Sequence, residues 1–97
     1  NNYIYFAKNG TWQNSGDPTS GATGTGGIAL TSTDREWFLS LGDGGSTATA
    51  TYLCNFGNGY FGTTAVSSAG TNASGNGIFE YDVPTGYTAL STKGLNL

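Results

Sequence analysis

Glu80 and Asp82 are the carboxylate pair in this chain worth testing for catalysis. At positions i and i+2 of a strand they would share a face, with Cα atoms about 6.5–7 Å apart. That separation lies within the range of a glycosidase acid and base. A glucanase-type site needs a further carboxylate on that face, and the next positions hold Ile78 and Pro84. The pair therefore reads as a solvated strand end, and no catalytic residue is assigned. Asp17, Asp34 and Asp43 lie in loop-like sequence and are the candidates for calcium. Calcium takes about six to eight oxygens, supplied by carboxylates close in sequence. Isolated aspartates beside Gly and Pro are turn-makers instead. No metal and no cofactor is expected.

Two aromatic residues stand where a binding surface would use them. Trp12 follows the tight turn at Asn9-Gly10, and Tyr60 follows Gly57-Asn58-Gly59. Aromatic rings at loop edges stack on sugar rings or anchor a protein partner. Trp12, Asn14, Asp17 and Tyr60 form the candidate binding set. The competing reading is that both rings cap the open end of a thin core. Asn9-Gly10-Thr11 and Asn72-Ala73-Ser74 match the glycosylation acceptor pattern, which chance supplies readily in such a composition.

The composition limits what can position these residues. The chain of 97 residues allows a single domain, 1–97, with a modest core. Leu, Ile, Val and Phe number only 17, but 13% of residues are aromatic and the net charge is −3. Disorder needs self-repulsion and few aromatics, so a folded chain is expected. Gly, Thr, Ser and Asn supply 50 of the 97 residues, which disfavours helices and points to an all-β fold. Three basic residues cannot build a nucleic-acid footprint. The absence of His and the single Cys54 exclude a zinc finger, a His-based triad and an intrachain disulfide. No apolar run approaches the roughly 18 residues of a membrane span.

Along the chain, 3–8 reads as a strand, and Asn9-Gly10 is the strongest short hairpin signal. The return begins at Thr11-Trp12-Gln13, and 14–27 is a loop with little that could pack. A short strand follows at 27–30. Thr33 and Glu36 have the spacing of a capping box, but the strand-like 37–41 follows at once, so a turn is expected there. Alternation of period two is clearest over 48–56, with Ala48, Ala50, Tyr52, Cys54 and Phe56 facing inward. Cys54 would then be a small buried hydrophobe. A turn at 57–59, a core-entering Tyr60-Phe61 and a second long loop over 62–77 come next. The chain closes with a strand at 78–81, a turn at 84–86 and an extended piece at 87–91. Two loops of about fourteen to sixteen residues are long for a small domain, and such loops commonly carry function.

Asn55-Phe56-Gly57, then Phe61, then Pro84-Thr85-Gly86-Tyr87-Thr88-Ala89-Leu90 resemble the C-terminal part of a SPRY domain, a concanavalin A-like β-sandwich. The opening Tyr5-Phe6-Ala7-Lys8-Asn9-Gly10-Thr11-Trp12 is similar to that family's hairpin. The Asn14-Ser15-Gly16-Asp17-Pro18 loop, Trp37-Phe38 before Gly42-Asp43-Gly44, and the ending through Leu90 to Lys93 resemble SPRY-like modules of phage structural proteins. In this comparison Asn9, Gly10, Asn55, Phe56, Gly57, Phe61, Pro84, Gly86, Tyr87 and Leu90 are structural. The family carries further strands before the Lys-Asn-Gly hairpin, and this chain has none of them.

The resemblance implies an antiparallel β-sandwich, jelly-roll in type and incomplete at its N-terminus. It further implies a non-enzymatic module of a virion, on a phage fibre, tail or head surface. Its partners would be host-surface glycan or neighbouring virion protein within an oligomeric assembly, with no nucleic acid and no membrane insertion. The alternatives are a cytoplasmic SPRY module that binds peptide, and a carbohydrate-active enzyme built on Glu80 and Asp82.

Overall fold

Six short strands pair two by two in the computed structural model, which describes residues 2–31, 34–47, 49–67 and 77–88. They are β1 (Tyr3–Ile4), β2 (Ala7–Lys8), β3 (Thr11–Trp12), β4 (Ile28–Ala29), β5 (Tyr60–Phe61) and β6 (Thr64–Ala65). All three pairs are antiparallel: β1 with β4, β2 with β3, and β5 with β6. A tight turn at Gln13–Ser15, with Asn14 and Ser15 at positive φ, and a single 3-10 turn at Gly21–Thr23 follow β3. No α-helix occurs among the described residues, and the fold is all-β in small antiparallel sheets.

Asn9 and Gly10 take φ of 51° and 77°, the two positive values that a type I′ hairpin turn demands. Ala7 faces Trp12 and Lys8 faces Thr11 across it, as the sequence leads one to expect. The segment 3–8 is not one strand, however. It changes partner at Tyr5-Phe6, giving its first half to β4 and its second to β3. A second hairpin pairs β5 with β6, and its turn and β6 lie inside 62–77, which reads as loop. Gly62 at φ 63° fills the first position of its two-residue turn, where a type II′ turn requires glycine.

The described residues hold no buried hydrophobic side chain. Their buried positions are Pro18, Gly24 and Gly59, so the interior is backbone rather than side chain. Aromatic rings lie directly on glycines. The Tyr3 ring occupies the space a Cβ at Gly24 would need, and Tyr5 covers Gly27, whose Cβ would stand 2.9 Å from the ring. Tyr81 covers Gly10 at the hairpin turn, where an added Cβ would stand 2.8 Å from the nearest ring carbon. Each ring removes apolar surface from water against a strip of main chain.

Several expectations need correction. Neither 37–41 nor the described part of 48–56 joins a ladder. Of the face expected inward, Tyr52 and Phe56 are half exposed and Cys54 is exposed. Among the described residues no second layer covers that alternating face. Asn55, not Phe56, organises the Asn-Phe-Gly junction: its Oδ1 accepts from the Gly57 and Gly59 amides at 2.7 and 3.4 Å. Its Nδ2 donates to the Ile78 carbonyl at 2.9 Å, beside a parallel bridge between Asn58 and Ile78. The expected strand at 78–81 bends at Glu80 and Tyr81. The expected turn at 84–86 is present, with Tyr87 N–H donating to Pro84 O at 3.1 Å and Gly86 at φ 89°. Ala48, Thr33, Leu90 and the acceptor pattern at Asn72 lie outside the described residues.

Gly21 and Gly24 provide a matched pair, both at φ 63°, with open space at Gly21 and the Tyr3 ring at Gly24. Both alanine variants incur the left-handed backbone penalty of about 1–2 kcal/mol. Gly24→Ala adds an overpacking cost of about 1–3 kcal/mol. Denaturant melts of the two variants should therefore differ by that added amount. Equal losses would mean that the Tyr3–Gly24 contact contributes nothing.

Candidate functional site

Asp17 organises the loop 13–27 through a compact set of hydrogen bonds. Its Oδ1 accepts from the Thr19 amide at 2.9 Å and the Thr19 hydroxyl at 2.6 Å. Such an Asx turn is what Asp before a Pro-Thr dipeptide favours. Ser20 Oγ donates to Asp17 O at 2.6 Å and accepts from the Thr25 amide at 2.9 Å. The Asp17 amide in turn donates to Thr25 O at 2.9 Å, and Tyr5 Oη lies 3.4 Å from Ser20 Oγ. A loop expected to pack poorly is thus the most densely bonded part of the described chain. Donation from the Thr19 hydroxyl, and then from its amide, holds the Asp17 carboxyl below the ordinary aspartate value.

This loop meets the turn 84–87 around a pocket of about 230 Å³, lined by Pro18, Thr19, Gly21, Thr85, Gly86 and Tyr87. The volume falls short of the roughly 300 Å³ at which small-molecule sites usually begin. It suits one small ring rather than an extended ligand. The Thr85 hydroxyl offers a donor and acceptors, the Thr19 hydroxyl, whose hydrogen is held by Asp17, offers an acceptor, and the Tyr87 ring, 37% exposed, offers an apolar face. The lining carries no charged side chain, so a neutral hydroxylated group matches it chemically.

Of the residues expected to bind, Trp12, Asn14 and Asp17 fall on one continuous stretch. Trp12 is half-buried on β3, and Asn14 sits at φ 56° with its Nδ2 3.5 Å from Gly26 O. Tyr60 is exposed on β5, in a separate sheet. Thr19 and Thr85 were not legible as site residues, because no spacing rule joins positions 66 residues apart. Gly86 and Tyr87 enter the pocket through the turn that the sequence does indicate.

The chain matches no protein-family model, no curated protein and no solved structure.

The carboxylate pair does not sit on one regular strand. Both Glu80 oxygens accept from Ser67, Oε2 from its amide at 2.8 Å and Oε1 from its hydroxyl. The bend at Glu80-Tyr81 also removes the strand geometry that would align Glu80 with Asp82. Among the described residues no three His, Cys, Asp or Glu side chains cluster as a metal site would require.

A depressed carboxyl makes a pH-dependent contribution. Because the folded value is lowered, the stabilisation is complete above the unfolded value and disappears as pH falls through the folded one. A carboxyl-carbon titration should give Asp17 a lower midpoint in the native chain than in urea. Coincident midpoints would show that the Thr19 bonds do not persist in solution.

Proposed function

We propose that this chain is a non-enzymatic binding and structural module of a virion, a SPRY-like β-sandwich domain on a phage fibre, tail or head surface. Its task is contact with host-surface glycan or with neighbouring virion protein. The pocket between loop 17–21 and turn 84–87 is the observation that carries the reading. A neutral lining, two hydroxyls and one exposed ring are what a sugar unit needs. Net charge −3 with only three basic residues disfavours sulfated or phosphate-rich targets. The Lys8-Asn9-Gly10-Thr11 hairpin and the Pro84-Thr85-Gly86-Tyr87 turn support the family likeness, since both are formed as hydrogen-bonded turns.

The recognition residues in this reading are Thr19, Thr85 and Tyr87, with Trp12 and Tyr60 as outlying aromatic contacts. Tyr87→Ala should weaken attachment to host cells or immobilised glycan about tenfold, equivalent to about 1.4 kcal/mol. Protection of the loop amides should be unchanged. Trp12→Ala and Tyr60→Ala should each have a smaller effect. If Tyr87→Ala attaches normally, the pocket is not the contact. If Trp12→Ala unfolds β2–β3, that ring belongs to the fold rather than to a binding surface.

A further inference from the structure

Residues 37–56 contain a single charge, Asp43, and the largest run of uncovered apolar side chains in the described chain. Phe38 is 87% exposed, and Trp37, Leu39, Leu41, Tyr52 and Leu53 are each at least half exposed. The two halves of the segment lie together. Tyr52 Oη donates to Gly42 O at 2.7 Å, and the Ala50 amide donates to Asp43 Oδ2 at 3.1 Å. These bonds leave the described main chain of 37–45 and 49–55 outside any ladder. Unladdered apolar chain of this kind is a template for pairing with another chain.

We infer that this face is an interface between copies of this chain, which associate to cover it. The area supports that occupant. Taking about 150–200 Å² per side chain, the six residues expose roughly 550–750 Å². The largest apolar patch of an ordinary monomer is about 300–600 Å², whereas a stable interface buries about 800 Å² on each partner. Side chains alone thus approach what one copy must contribute, and the main chain between them supplies the rest. Charge agrees as well. Two copies bring together only Asp43, whose carboxylate already accepts from the Ala50 and Gly45 amides. A copy of the same nearly neutral face therefore meets little repulsion, and symmetric self-association is the commonest way to cover such a surface. The inference goes beyond the virion reading and does not depend on it.

Sedimentation of the 97-residue chain over a hundredfold concentration range tests it. The expected result is a mass that rises from 9.9 kDa to a multiple of it, with a melting temperature that climbs with concentration. The double substitution Phe38→Glu, Leu39→Glu should weaken association at least tenfold. Because both side chains are exposed in the single chain, the circular dichroism of the dilute protein should be unchanged. A wild-type chain that stays at monomer mass with a concentration-independent melt overturns the inference, whatever the variant does. Association equally strong in a folded double variant also overturns it, since the contact then lies elsewhere.

Discussion

An aromatic ring packed against a glycine is the contact on which this structure depends. Tyr3 stands on Gly24, Tyr5 on Gly27 and Tyr81 on Gly10, and in each case a Cβ would collide with the ring. The arrangement resolves a shortage. With few aliphatic side chains, the chain cannot stack one layer of branched residues against another. A bare stretch of main chain gives a ring a flat surface to cover, and the ring keeps its hydroxyl at the edge for solvent or a partner. Among the described residues the buried ones are accordingly Pro and Gly, not Leu or Val.

Main chain that is covered in this way must have its polar groups satisfied, because an unpaired buried donor or acceptor costs about 1–3 kcal/mol. The abundance of Asp, Ser, Thr and Asn meets that requirement locally. Asp17 and Ser20 bond the loop 13–27, and Asn55 bonds the crossing of Gly57, Gly59 and Ile78. The same loop forms one wall of the pocket, so its rigidity and the site's shape have one cause. Residues 37–56 have aromatic and leucine side chains but few glycines placed beneath them. Their side chains stay about half exposed or more among the described residues, and the apolar face is open to another molecule.

The sequence revealed local features well and distant ones poorly. Asn9-Gly10 and Pro84-Thr85-Gly86 were legible because a turn is fixed by the φ its own residues can adopt. The short strand β4 was legible from its flanking turns. Period-two alternation over 48–56 was real as a pattern, yet a pattern needs a second layer to become a buried face, and none among the described residues covers it. Phe56 and Cys54 are exposed for that reason. The loop 13–27 was misread in the opposite direction. Its residues have little apolar surface of their own, but Tyr3 and Tyr5 supply it from β1 and the segment beyond. Thr19 and Thr85 became neighbours only through the tertiary fold, which no interval in sequence encodes.

Amide hydrogen exchange on the dilute 97-residue chain tests most directly whether ring-on-glycine packing holds the fold. The amides of Gln13, Asp17, Gly27 and Leu30 donate to main-chain carbonyls in the region covered by Tyr3 and Tyr5. They should exchange slowest of the chain, while those of residues 37–42 exchange near the unprotected rate. Protection in the reverse order, with 37–42 slow and the loop amides fast, would contradict the account and place the stable core in the aliphatic segment instead.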